Sequence, residues 1–271
     1  MQDSSQHLIF GPPGNEWQYD KETKTYDLTR GYPASGWNVA TTQGPPDTNF
    51  ILAPNLTTLV VVDMQNFFLH PLCNDYPDGL AAADRVLHVA KKCREVGIRI
   101  VWLNWNLTEA DLDTMPAATE RSFSNDLFLS SSEPSKQARR GFGSDMGEGR
   151  GRLLMQGEWN AELYPTLDAS RLPGHDIVCV KNRISGLWSP EAVLSRHLRG
   201  TGSRTLLFAG VNTDQCVFGT LADAYYQGFD CVLLEDCCAT KTPHGNEVTI
   251  WNVSRGYGFV TNTKAFLDGF H

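Results

Sequence analysis

From Thr57 onward the chain alternates short apolar runs with segments of helical spacing, and this alternation most narrows its possible folds. Leu59-Val60-Val61-Val62 is a near-continuous apolar run, as expected of a strand covered on both faces. Residues 81–96 place Ala83, Val86, Leu87, Val89, Ala90 and Cys93 at helical spacing, and Gly97 is a natural helix stop. Further strands are expected over 98–103, 176–180, 205–210, 231–234 and 257–261, with helices over 190–198, 215–226 and 243–253. Strand, helix, strand in repetition means parallel pairing through right-handed crossovers. The expected fold is α/β: a three-layer α/β/α domain, Rossmann-like, on a mostly parallel sheet of about six strands.

Two stretches break the rhythm. Residues 1–55 hold Gly11-Pro12-Pro13-Gly14 and Gly44-Pro45-Pro46 and are expected to be an irregular N-terminal extension. Its aromatics, Trp17, Tyr19, Tyr26, Tyr32 and Trp37, imply that it packs on the body or on a neighbouring subunit, because free tails are poor in aromatics. The domain proper is expected over 56–271. Residues 104–152, with Ser130-Ser131-Ser132 and Arg139-Arg140, form an insertion long enough to suggest a lid or contact surface.

Composition removes several classes of function. A net charge of -8 argues against nucleic acid as a partner, since such binders show a basic patch or stripe. No apolar run approaches the roughly 20 residues of a membrane span. Met1 to Gly14 lacks the basic start and apolar core of a secretory signal. Seven cysteines, an odd number without paired metal spacing, read as mostly core thiols in a reducing compartment, so a cytoplasmic location is expected.

In an open parallel sheet, ligands bind beyond the carboxyl ends of the strands. The first strand ends at Asp63, the third at Lys181, and the fourth leads through Gly210-Val211-Asn212-Thr213-Asp214-Gln215 to Cys216. An acid, a lysine and a thiol therefore share one rim. Singly, each has an ordinary reading as a cap, a solvated strand end or a core thiol. Together they form a nucleophile, a proton acceptor and a cation that keeps both anions ionised. A helix start at Cys216 is expected to lower the thiol pKa, and nearby backbone amides could hold an oxyanion.

Three motifs, Val62-Asp63-Met64-Gln65-Asn66, Lys181 with Ser185-Gly186, and Gly210 to Val217, resemble the isochorismatase-like cysteine hydrolase superfamily over about residues 56–268. The resemblance implies a catalytic triad of Asp63, Lys181 and Cys216. It also implies a cis peptide at Val211-Asn212 and an oxyanion hole from the backbone amides of Asn212 and Cys216. Nicotinamidases of this group hold a metal through histidines after the second strand. Asn104 to Glu109 has none, so neither metal nor cofactor is expected.

Gly151-Arg152-Leu153-Leu154, Gly157-Glu158-Trp159 and Lys181 to Gly186 look most like the ureidoacrylate amidohydrolase and biuret hydrolase branch. By that likeness Asn104 and Trp105 would line the pocket, whereas Ile184 and Leu187 replace an expected tyrosine and an aromatic. Gln65, Asn66, Phe68, Arg183 and Trp188 are further substrate-binding candidates by position; turn, core or surface roles are open for each. The expected function is cysteine-dependent hydrolysis of a C–N bond in a small amide or ureido compound, by a homo-oligomer (dimer or tetramer). Vinyl ether hydrolysis and a catalytically silent binding protein are the alternatives.

Overall fold

A computed structural model gives the structure of residues 6–32, 36–124 and 141–271. Ser130-Ser131-Ser132 and Arg139-Arg140 lie outside the described residues. The N-terminal stretch is not irregular. It folds as β1 (His7–Phe10), β2 (Trp17–Asp20), β3 (Thr25–Asp27), β4 (Trp37–Ala40) and β5 (Asn49–Leu52). These five strands form their own sheet in the order β1-β2-β3-β5-β4. Each is three or four residues long, too short to display a period-two pattern, and glycine and proline turns separate them.

This sheet docks on the body through aromatic and ionic contacts. Trp17, Tyr26 and Phe50 surround Phe259 with ring centroids 5.6, 5.3 and 5.2 Å away. The Arg30 guanidinium binds the buried Asp230 carboxylate with two hydrogen bonds of 2.7 Å, and the Trp17 indole donates to the same carboxylate at 2.8 Å.

The body runs β6 (Thr57–Val62), α1 (Asn66–Leu69), α2 (Pro77–Val96), β7 (Arg99–Trp105), α3 (Glu109–Asp113), α4 (Ala117–Ser122) and α5 (Pro165–Ser170). It continues through β8 (Ile177–Lys181), α6 (Val193–Thr201), β9 (Thr205–Val211), α7 (Phe218–Tyr226), β10 (Asp230–Ala239), α8 (Gly245–Asn252), β11 (Phe259–Thr261) and α9 (Thr263–Leu267). The six strands lie in the order β11-β10-β9-β6-β7-β8, and every neighbouring pair is parallel. Helices flank the sheet in the expected three layers. Helix α2 starts with Pro77 in its first turn, buries Ala82, Ala83, Val86, Val89, Ala90 and Cys93, and stops at Gly97 with φ 86°. Strand β7 runs on through Asn104 and Trp105, so the insertion begins later than its expected start.

The chain builds β6, β7 and β8 outward in one direction and then returns to lay β9 against the other side of β6. That reversal is the crevice-forming point of such sheets. It places the residues after β6 and β9 side by side. Gly210 makes the close approach possible: its φ is 125°, and an added Cβ would sit 2.0 Å from the Val62 carbonyl oxygen.

Arg30→Ala would leave Asp230 buried beside no guanidinium, a loss of about 3–5 kcal/mol of unfolding free energy. Urea denaturation followed by fluorescence measures it, and a loss below about 1 kcal/mol would show that the ion pair does not hold the sheet to the body.

Candidate active site

The end of β6 delivers Asp63. Its amide still donates to the Leu103 carbonyl at 2.8 Å, but its φ of 53° turns the chain out of the strand. Aspartate tolerates this left-handed conformation better than most residues. Lys181 is the last residue of β8 and must reach Asp63 across β7, which lies between the two strands. With neighbouring strands about 4.8 Å apart, only a long stem makes that crossing. Lys181 Nζ ends 3.0 Å from Asp63 Oδ2, with the two side chains 1% and 0% exposed. It also donates to the carbonyls of Arg183 and Ile184 at 3.2 and 3.1 Å.

Cys216 does not open an α-helix. It lies in a wide π-type turn, Thr213–Val217, that precedes α7. The Val211–Asn212 peptide ahead of it is cis. The Asn212 carbonyl accepts from the amides of Gln215 and Val217, which closes the turn. The Asn212 side chain is held in turn by Tyr76, whose hydroxyl donates to Oδ1 at 3.1 Å. No sequence signal links Tyr76 to a residue 136 positions away. Only its place ahead of Pro77, next to the close-packed Gly79, hints at a fixed role: an added Cβ at Gly79 would meet the Tyr76 ring at 2.6 Å.

The electrostatics reverse one expectation. The thiol of Cys216 is not lowered. Burial, followed by the adjacent Asp63 carboxylate, pushes it up to about 12, with the Lys181 charge pulling the other way. Burial also raises the Asp63 carboxyl, against the Lys181 charge. Burial thus favours the neutral form of both groups, and the resting proton stays on sulfur.

Of the substrate-binding candidates, Trp105 alone joins this cluster by direct contact. It pairs in register with Lys181, and the Lys181 ammonium lies 3.7 Å from the centroid of its ring. Gln65 instead braces the tryptophan backbone. Its Nε2 donates to the Trp105 carbonyl at 2.7 Å and the Ala161 carbonyl at 2.6 Å, and its Oε1 accepts from the Trp105 amide at 2.9 Å. Both amide donors are thus committed to backbone.

Asn66 and Asn104 sit elsewhere. Side chains alternate along a strand, so Asn104 and Val180 face the layer opposite to Trp105 and Lys181. With Asn66, Trp159, Leu163 and Val178 they line a cleft of about 610 Å³ that Trp105 also borders. Phe68 is core, packed edge-on to Phe67 at 4.9 Å. Arg183 stacks 4.9 Å over the half-exposed Trp188 ring and donates to the Thr114 carbonyl. Among the described residues no group of three or more His, Cys, Asp or Glu side chains could hold a metal ion. No helix among them is long and apolar enough to cross a membrane.

An acid, a lysine and a thiol thus gather at the switch point of a parallel sheet, where such folds bind their ligands. Residues 57–265 match the family described as Isochorismatase domain, and the chain belongs to that family. Ureidoacrylate amidohydrolase RutB of Cronobacter sakazakii is 30% identical over 225 residues, covering 80% of this chain and 89% of that protein. RutB of Acinetobacter baylyi is 27% identical over 227 residues, covering 81% and 85%. Among solved structures, an isochorismatase family protein from Desulfovibrio vulgaris shares the fold with a TM-score of 0.60 at 22% identity, covering 79% of this chain and 97% of that one. N-carbamoylsarcosine amidase from Thermoplasma acidophilum does so with a TM-score of 0.54 at 23% identity, covering 76% and 96%.

The Asp63 carboxylate raises the Cys216 thiol pKa, though less than burial does, so removing its charge must lower it. In Asp63→Asn, alkylation of Cys216 by iodoacetamide shifts to lower pH than in wild type, as read by peptide mass spectrometry from pH 6 to about 10. A shift to higher pH would mean that the carboxylate acts on the resting thiol as a base instead.

Proposed function

We propose that this protein is a cysteine-dependent hydrolase that cleaves a C–N bond in a small amide or ureido compound. The enzyme class, hydrolases of C–N bonds other than peptide bonds, draws its support from relatives named amidohydrolase and amidase. The observation that carries the mechanism is the buried Lys181–Asp63 pair at 3.0 Å with the Cys216 thiol against the same carboxylate.

In this reading Asp63 takes the proton from Cys216 Sγ as sulfur attacks the substrate carbonyl carbon. The backbone amides of Asn212 and Cys216 receive the developing oxyanion. Asp63, whose raised pKa suits it to carry a proton, then gives that proton to the leaving nitrogen. The C–N bond breaks and a thioester remains on Cys216. Water attacks the thioester with Asp63 again as base, and the acid product leaves with the thiol restored. Lys181 keeps its charge throughout and limits the cost of ionising two acidic groups in one dry site. A homo-oligomer belongs to the same proposal: Tyr226 on α7 is 74% exposed and Trp251 on α8 62%, side chains that favour burial against another surface.

The test is ammonia release across a panel of ureido acids, carbamoyl compounds and simple amides, with isochorismate included. At least one C–N substrate should turn over, and Cys216→Ala should reduce that turnover by about a thousandfold or more. Cleavage of isochorismate alone, unchanged in Cys216→Ala, would sink the proposal in favour of vinyl ether hydrolysis.

A further inference from the structure

The crossing of β7 by Lys181 creates a position that the reaction chemistry does not explain. Lys181 and Trp105 are register partners on adjacent strands, so whatever side chain stands at position 105 lies beneath the lysine as it reaches for Asp63. The ammonium has three N–H donors, and its three oxygen partners are Asp63, Arg183 and Ile184. The indole face covers the ammonium as well, 3.7 Å away, where the negative face of an aromatic ring attracts a cation most strongly in a desolvated site.

The indole is itself held. Gln65 bonds both the amide and the carbonyl of Trp105, and Phe123 and Phe142 pack on the ring with centroids 5.3 and 4.8 Å away. The charged and titratable groups around it are Asp63 from the end of β6, Lys181 from β8 and Cys216 from the turn before α7. Burial raises both Asp63 and Cys216.

We infer that Trp105 is a positioning residue: the face of its indole fixes the Lys181 ammonium against Asp63 and thereby sets the ionisation of Cys216. A wall that only fills space would need bulk at this position but no electron-rich face. Positioning needs the face, because without it the lysine stem can swing away from the carboxylate. This deepens the hydrolase reading by assigning a residue to its site. It is nevertheless tested without a substrate, since alkylation of Cys216 reports on the thiol directly. Failure to hydrolyse any amide would leave this inference standing, and its own failure would leave the hydrolase reading standing.

The experiment compares iodoacetamide alkylation of Cys216 against pH, resolved by peptide mass spectrometry, in the full-length protein. Trp105→Leu removes the aromatic face. Alkylation at neutral pH should fall about tenfold, and the profile should move to higher pH, because Lys181 no longer holds the anions down. Trp105→Phe keeps a face and should restore most of the rate. Should the leucine variant fail to fold, phenylalanine and pentafluorophenylalanine installed at position 105 decide the matter. The two rings are nearly alike in shape but opposite in the sign of the face. The fluorinated ring should give the slower alkylation and the higher-pH profile. Coincident profiles for those two rings, or a leucine variant that folds and keeps the wild-type profile, overturn the inference.

Discussion

The ion pair between Lys181 and Asp63 is the constraint around which the rest of the site is arranged. Two charges removed from water are costly unless they are paired and their surroundings compensate them. The lysine gains the carboxylate, two carbonyls and an aromatic face. Those carbonyls belong to Arg183 and Ile184, so the turn after β8 must fold back over its own lysine. The carboxylate must leave the strand, which Asp63 does through its left-handed backbone. The thiol must come to the same carboxylate, which requires β9 to lie close against β6 at Gly210. Each of these local oddities follows from bringing three groups on three strands to one point.

How much of this is visible in the sequence depends on the range of the interaction. The central strands are visible because buried parallel strands read as unbroken apolar runs. The rim residues are visible because strand ends are where such sheets bind ligands. The N-terminal sheet is not, because strands of three or four residues carry no period and it is held to the body by contacts such as Arg30–Asp230, far apart in the chain. Asn104 and Trp105 look equivalent in sequence, yet strand alternation sends them to opposite faces of the sheet. Gln65 reads as a polar residue near the acid, but its role as a brace depends on Trp105 and Ala161, residues brought in by tertiary folding. Tyr76 has no local signal, and its tie to Asn212 exists only once α2 and β9 meet.

Cys216 shows how a general rule yields to its surroundings. A thiol at a helix start is stabilised as the anion by unpaired amides and the helix dipole. Here the wide turn moves the thiol ahead of α7, burial removes its water, and the neighbouring carboxylate opposes a second negative charge. Desolvation and like charge act together, and one lysine does not offset both.

That balance has a mechanistic consequence. With the thiol and the acid both pushed upward, a resting thiolate would place two anions in a dry pocket beside a single cation. With the proton on sulfur the site carries at most one anion, the Asp63 carboxylate, beside the Lys181 ammonium. In the proposed reaction, forming the nucleophile would therefore coincide with charge leaving sulfur for the substrate, since attack moves the new negative charge onto the carbonyl oxygen. In the proposed reaction the same arrangement would suit Asp63 to act as the acid in the next step, because a carboxyl raised by burial holds its proton until the leaving nitrogen can take it. In the proposed reaction the Lys181 ammonium beside Asp63 would offset one anion while a proton travels between sulfur, carboxylate and nitrogen.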